Sequence, residues 1–391
     1  MSHSLVDQKD LESPPLQIAF LGGGINSAIG RTHKIAAEMD GRFKLVAGCF
    51  SRQPLMNAQT AICYGVDNSR VYGDLEEMLE AEQGCLDAVV ILTPIHQHVA
   101  AVSACLKAGI PVICEKALAS SAVQVNLVKD LRGYKRGFLA VTYNYTGYPM
   151  VREMRSLVKD GFFGRLSQVQ VEMPQESFLS LGSDGKPRAP QSWRLKDEGI
   201  STVSLDLGTH LHSLVSFITE KKPEQVVGQS NSNGHFNSVV DTVSSMVQYS
   251  SGMQGNFWYT KAALGSRNGL KIRVFGEKAS AEWLQENPEY ITVADNKNGR
   301  RILDRACKDL KVASLERYNR FKAGHPAGFI EAFANYYWDL ADALHCHLKG
   351  MVSTSPYVLG ISEAIEAAYL FEAIEESSRE RRWVNVFSDP V

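Results

Sequence analysis

The chain has 391 residues, 44% of them hydrophobic and 21% charged, with 41 basic against 43 acidic residues and a formal net charge of -2. That balance leaves no electrostatic footprint for nucleic acid or an anionic membrane surface, the apolar fraction is ample for large cores, and the length suggests two or three domains. The charge balance makes a small molecule the expected partner, the scattered cysteines point to a cytoplasmic protein, and no stretch reaches the roughly 18 uninterrupted apolar residues of a membrane helix.

The first fifteen residues, ending at Pro14 and Pro15, lack the basic and apolar regions of a secretory leader and read as a disordered tail. Seven scattered cysteines without C-x-x-C spacing read as reduced core residues. The ten histidines do not form a metal set: His345 and His347 diverge on a helix, and His96 and His98 lack ligands at the right spacing. No metal is expected.

From residue 16 to 142, short apolar strands alternate with amphipathic helices: "QIAFLGGG", "RTHKIAAEM", "KLVAGCF", "LDAVVILTP", "VAAVSACLKAG", "IPVICEK", "SSAVQVNLVKDLRGY" and "GFLAVTYN". Strands that are continuous apolar runs predict a parallel sheet covered on both faces, the doubly wound α/β fold. From 143 to 391 the pattern becomes α+β. "RLSQVQVEMPQ" alternates with period two, as a half-solvated antiparallel strand does. Hairpins are predicted to turn at Ser251-Gly252 and near Gly276, and helices cover the 204–218 region, "GFIEAFANYYWDLADALHCHL" and "ISEAIEAAYLFEAIEESSRE". The second domain is thus expected to carry an open, mainly antiparallel sheet. Its free face is the expected surface for a homo-oligomer, a dimer or tetramer.

The loop after the first strand runs Gly22-Gly23-Gly24-Ile25-Asn26-Ser27-Ala28-Ile29-Gly30 into a helix. Glycines there permit a tight turn and close approach of a pyrophosphate, with the helix N-terminus stabilising its charge. Gly22, Gly24, Ser27 and Ile29 are the candidate contacts. Ser27 stands where a third glycine would fall, or Gly30 plays that part in a longer loop. The second strand ends Cys49-Phe50-Ser51-Arg52 with no acid to bond a ribose 2′-hydroxyl. Ser51 and Arg52 therefore lean towards NADP over NAD, unless Arg52 is simply solvated.

"SLDLGTH", residues 204 to 210, sets Asp206 four residues before His210. On an α-helix the two share a face, about 5 to 6 Å apart at Cβ, with Gly208 opening the backbone between them. Alone, such a pair is usually structural. Together with "TPIHQH" (93–98) after the fourth apolar strand and Glu115-Lys116 ending the next, the pattern resembles the glucose-fructose oxidoreductase and inositol dehydrogenase family, Gfo/Idh/MocA, over nearly the whole chain from Leu16. "VTYNYTGYPMVREM" and "GHPAGFIEAFANYYWDL" are similar to a sugar dehydrogenase branch.

That resemblance implies an NAD(P)-dependent oxidoreductase moving a hydride between a sugar or polyol secondary alcohol and nicotinamide. Thr93, Pro94 and His98 would contact the nicotinamide half, beside Glu115. Lys116 would reach cofactor and substrate, and Asp206 and His210 the substrate, with Tyr145, Trp193, Arg194 and His325 as further contacts. His210 is the expected base, titrating near neutrality, while Asp206 orients it, stabilises its charged form or grips a neighbouring hydroxyl. Lys116 would stabilise the developing alkoxide. Trp193 either caps the pocket or belongs to the core. Two departures from the family pattern stand out: Ala117 replaces a proline, and Thr146 replaces an arginine. The competing class is a non-catalytic dinucleotide sensor on the same fold.

Overall fold

A computed structural model describes residues 14–387; most of the predicted tail lies outside them. Five strands, β1 (Leu16–Gly22), β2 (Phe43–Cys49), β3 (Ala88–Leu92), β4 (Val112–Glu115) and β5 (Leu139–Thr142), form a parallel sheet in the order β2-β1-β3-β4-β5. All five residues of β3 are buried, as expected for a strand covered on both faces. The order reverses between β1 and β3, so the crevice beyond their carboxyl ends is the place where such sheets bind ligands.

Helices α1 (Ala28–Glu38), α2 (Pro54–Tyr64), α3 (Leu75–Ala81), α4 (His98–Lys107) and α5 (Ala122–Lys135) connect these strands. Thr93 follows the third strand rather than the fourth, because 54–81 folds into α2 and α3 with a short helical turn between them.

After α6 (Pro149–Lys159) the chain builds a nine-stranded sheet. Its strands are β6 (Leu166–Pro174), β7 (Pro223–Asn231), β8 (Thr242–Tyr249), β9 (Gln254–Thr260), β10 (Lys271–Gly276), β11 (Ala279–Leu284), β12 (Ile291–Asp295), β13 (Arg300–Leu303) and β14 (Val384–Asn385). The order is β13-β12-β11-β10-β6-β9-β8-β7-β14, antiparallel except for β6 against β9. Both expected hairpins are present, β8–β9 and β10–β11. One face packs on α7 (Thr209–Thr219) and α9 (Ile361–Glu380). On the other, Ser244, Met246 and Gln248 of β8 and Gln254, Asn256 and Trp258 of β9 alternate outward.

The helix α8 (Phe329–Leu348) comes from the second half of the chain but packs against the parallel sheet. Phe333, Tyr337, Leu340 and Leu344 share a core with Ile18, Phe20, Phe43 and Leu45. An ion pair of Asp40 with Arg320 adds a polar tie between the halves.

Candidate active site

The glycine turn after β1 is built for close approach. Gly22 and Gly23 have φ of +81° and +73°, a region side chains rarely adopt. A Cβ on Gly30 would lie 1.9 Å from the Gly23 carbonyl oxygen, so Gly30 lets the first turn of α1 seat against the loop. Of the two readings of the third glycine, the structure selects Gly30. Ser27 begins α1 with no side-chain cap, leaving first-turn N–H groups unspent at an N-terminus that favours negative charge. Asn57 Oδ1 accepts from Phe50 N at 2.8 Å and Ser51 N at 3.3 Å and so fixes the turn that carries Ser51 and Arg52.

These elements border a cleft of about 700 Å³ lined by Gly22, Gly24, Ser27, Ile29, Ser51 and Arg52 at one end. Thr93, Pro94, His98, Glu115, Lys116, Trp193, Arg194 and Asp206 line it further along. The hydroxyl of Thr93 is buried without a protein partner. A glycine cradle, a free helix start and an unspent hydroxyl in one elongated cleft fit a dinucleotide cofactor.

Glu115 and His98 line this cleft with their polar atoms already engaged. Glu115 faces His33 Nε2 at 2.9 Å and accepts from the Thr142 hydroxyl. Burial alone would raise its carboxyl; His33 and Lys116 outweigh that and hold it below its ordinary value. The His98 ring nitrogens lie 2.8 Å from the Ala117 carbonyl and 2.7 Å from that of Thr93. Burial pushes the His98 pKa down against those two carbonyls. His98 thus ties the loop after β3 to the Lys116–Ala117 peptide, which is cis.

At the inner end stand Lys116, Asp206 and His210. The sequence fits an α-helix through 204–210, but Ser204–Gly208 forms a π-helical turn and α7 begins at Thr209. Such turns recur at functional sites. Ser204 anchors this one, 2.8 Å from both the Ser201 and Tyr259 hydroxyls. Gly208 plays a different part from the one its position suggests: a Cβ there would lie 2.9 Å from Phe371 and 3.1 Å from Tyr259, so it admits those rings rather than opening the space beside His210.

Lys116 Nζ donates to the Asp206 carbonyl at 2.7 Å and to Oδ1 at 3.0 Å. Asp206 Oδ2 receives Arg194 and, at 2.8 Å, Lys261 Nζ. Burial would raise the Asp206 carboxyl, but these three cations hold it well below the usual carboxylate range. Asp206 makes no hydrogen bond to His210 among the described residues; the lysines and the arginine occupy it instead.

His210 is buried, its Nδ1 lacks a protein partner, and Tyr145 meets its ring edge-on with centroids 4.7 Å apart. Burial, then Lys116 and Lys261, hold its pKa well below the ordinary histidine value despite Asp206. The ring is therefore neutral at pH 7, and the expectation of a group titrating near neutrality gives way to one titrating lower.

Lys261, at the end of β9, is the member that sequence reading misses. It is 5% exposed, and burial lowers its ammonium pKa. Tyr145 is linked inward through Asn268 Nδ2 at 2.9 Å, and Asn268 accepts from Gln175 at 2.9 Å. Arg194 stacks over Trp193 at 4.3 Å, and Trp193 lines the cleft rather than a core. His325 is the expected residue that the structure does not bring in. Its side chain is exposed and outside the cleft lining, while its carbonyl accepts from buried Arg305 at 2.9 Å. His212 turns towards Glu366 on α9, 3.3 Å away. No group of three or more His, Cys, Asp or Glu suited to a metal occurs among the described residues.

A dinucleotide cleft at a strand switch point, ending on a lysine and a carboxylate with a neutral histidine beside them, defines a nicotinamide-dependent oxidoreductase of CH–OH groups. Comparison with known proteins agrees. Residues 16–143 match "Oxidoreductase family, NAD-binding Rossmann fold", and residues 151–282 match "GFO/IDH/MocA C-terminal domain". The chain belongs to the Gfo/Idh/MocA family. It is 30% identical over 341 residues to the uncharacterized oxidoreductase YfiI of Bacillus subtilis, covering 85% of this chain and 86% of that one. An inositol dehydrogenase homolog of Azotobacter vinelandii, solved with NADH and myo-inositol, superposes with a TM-score of 0.87 at 28% identity, over 95% of this chain and 98% of that one. Levoglucosan dehydrogenase in complex with NADH and L-sorbose shares the fold, with a TM-score of 0.81 at 20% identity over 96% of this chain and all of that one.

Proposed function

We propose that the protein oxidises a secondary alcohol of a sugar or polyol, or reduces the matching ketone, with NAD(P). The observation that carries this reading is the convergence of Lys116 and Asp206, 3.0 Å apart, beside neutral His210 at the end of a dinucleotide cleft. The bound cofactor would supply the nicotinamide that takes the hydride. His210, uncharged, takes the hydroxyl proton on a ring nitrogen. Lys116 brings an ammonium to the oxygen as it gains charge, which favours the transition state over the neutral alcohol. Asp206 keeps Lys116 in place by accepting two hydrogen bonds from its ammonium, one at the Asp206 backbone carbonyl, so the lysine's position does not depend on a side-chain rotamer alone. Tyr145 packs the imidazole from the side.

Names of relatives support the substrate class: among them are an inositol dehydrogenase homolog solved with myo-inositol, a levoglucosan dehydrogenase and a trans-1,2-dihydrobenzene-1,2-diol dehydrogenase. Arg52 at the cleft, with no acid at the end of β2, supports use of NADP at least as well as NAD. The outward face of the nine-stranded sheet exposes Met246 at 52% and Trp258 at 38%, which supports a homo-oligomer joined there. Free cysteines, three of them buried, support a reducing, cytoplasmic setting. The test is a panel of sugars and polyols with NAD and NADP, followed at the reduced-nicotinamide absorbance. No turnover with any member contradicts the assignment.

A further inference from the structure

The charges around Asp206 do not balance, and the imbalance bears on what the site receives. Three cations, Lys116, Lys261 and Arg194, converge on one carboxylate. The other acid near Lys116 is Glu115, which is already engaged by His33 and Thr142. An oxidised nicotinamide would add a further positive charge beside Lys116. Buried cations are costly unless paired, so a site with this excess favours a ligand that brings negative charge.

The three cations differ in how free they are. Lys261 is nearly fully buried behind Asp206, where it also reaches Gln175 at 3.4 Å. Lys116 spends two hydrogen bonds on Asp206. Arg194 retains the most capacity: of the five N–H donors of a guanidinium, a single one meets Asp206, and its side chain makes no other hydrogen bond among the described residues. It lines the cleft, its side chain is 25% exposed, and the Trp193 ring under it holds the plane of the fork. A planar fork with unspent parallel donors fits the two oxygens of a carboxylate or phosphate.

We propose that the substrate is an anionic polyol, a sugar carrying a carboxylate or a phosphate, whose charged group docks on Arg194 while the hydroxyl to be oxidised stands at Lys116 and His210. This rests on the dehydrogenase reading above and adds the charge of the substrate to it. The redox chemistry is unchanged: a bound nicotinamide would accept the carbinol hydrogen with its bonding pair, and His210 takes the O–H proton.

The test compares kcat/KM for D-glucose and myo-inositol with that for D-glucuronate, D-gluconate and D-glucose 6-phosphate, at one ionic strength and with the preferred cofactor. The acids or the phosphate should exceed the neutral sugars by about tenfold or more, and the two arms show which anion is meant. Arg194→Met should shrink the ratio of anionic to neutral kcat/KM by roughly 10- to 100-fold, the range for a hydrogen bond to a charged group. Arg194→Lys should recover part of it, since it restores charge without the fork. Far-UV circular dichroism and thermal melting confirm that each variant is folded. A wild-type preference for neutral sugars, or a ratio unmoved in Arg194→Met, overturns this inference and leaves the dehydrogenase reading standing. No turnover with either set overturns both.

Discussion

Replacing Gly30 by alanine tests the cofactor cradle at its tightest point. The new Cβ would sit 1.9 Å from the Gly23 carbonyl oxygen and 2.5 Å from its carbon, both backbone atoms that no rotamer change can move aside. Non-bonded contacts settle near roughly 3.5 Å, so the glycine turn and α1 must part by about 1.6 Å. Overpacking of this kind typically costs about 1 to 3 kcal/mol of stability. The larger effect should fall on function, because the displaced elements are those whose N–H groups would hold the pyrophosphate of a bound dinucleotide. Losing one hydrogen bond to a charged group costs about 1.5 to 3 kcal/mol, or roughly 10- to 150-fold in cofactor Kd. Isothermal calorimetry with NADPH and NADH, alongside far-UV circular dichroism, reads both effects. A folded Gly30→Ala protein with wild-type cofactor affinity would refute the close-packing argument.

Other expectations follow from the charges and surfaces. Because burial, Lys116 and Lys261 depress the His210 pKa, the active, neutral form prevails at pH 7, and kcat/KM should fall only when pH drops well below 6.5. Lys261→Met removes one of the depressing charges, so the acidic limb of the pH profile should move up towards neutrality; an unmoved limb would separate Lys261 from His210. Arg52→Ala should weaken NADPH on the order of tenfold while sparing NADH, and equal affinities before and after would make the arginine a bystander. Trp258→Glu with Met246→Glu should convert a dimer or tetramer to monomer in light scattering, whereas a monomeric wild type would contradict association through this face.

Much of this architecture is legible in the residue pattern, for identifiable reasons. The continuous apolar run of β3 and the alternation of Val169, Val171 and Met173 in β6 report burial on two faces and on one, so both sheets leave a periodicity in the sequence. The glycine turn announces itself because only glycine tolerates its φ. What periodicity does not report is which surface an amphipathic helix covers. α8 lies in the second half of the sequence and in the core of the first sheet, through Phe333, Tyr337 and Leu340. The π turn is equally hidden, since Ser-Leu-Asp-Leu-Gly-Thr-His fits an α-helix, yet within it Asp206 meets the cations rather than His210. Lys261 and Asn57 carry no spacing signal. A lysine closing a strand and an asparagine early in a helix become meaningful only when the fold sets them beside Asp206 and the β2 turn. His325 shows the converse, a motif residue whose backbone is held while its side chain points to solvent.

The central claim is that His210 takes the proton, and His210→Asn tests it most directly. Turnover with the best alcohol substrate should fall roughly 10²- to 10⁴-fold, the usual cost of losing a general base. Cofactor Kd should stay close to wild type, because His210 lies outside the lining of the dinucleotide cleft. Near wild-type turnover in folded His210→Asn would contradict the account.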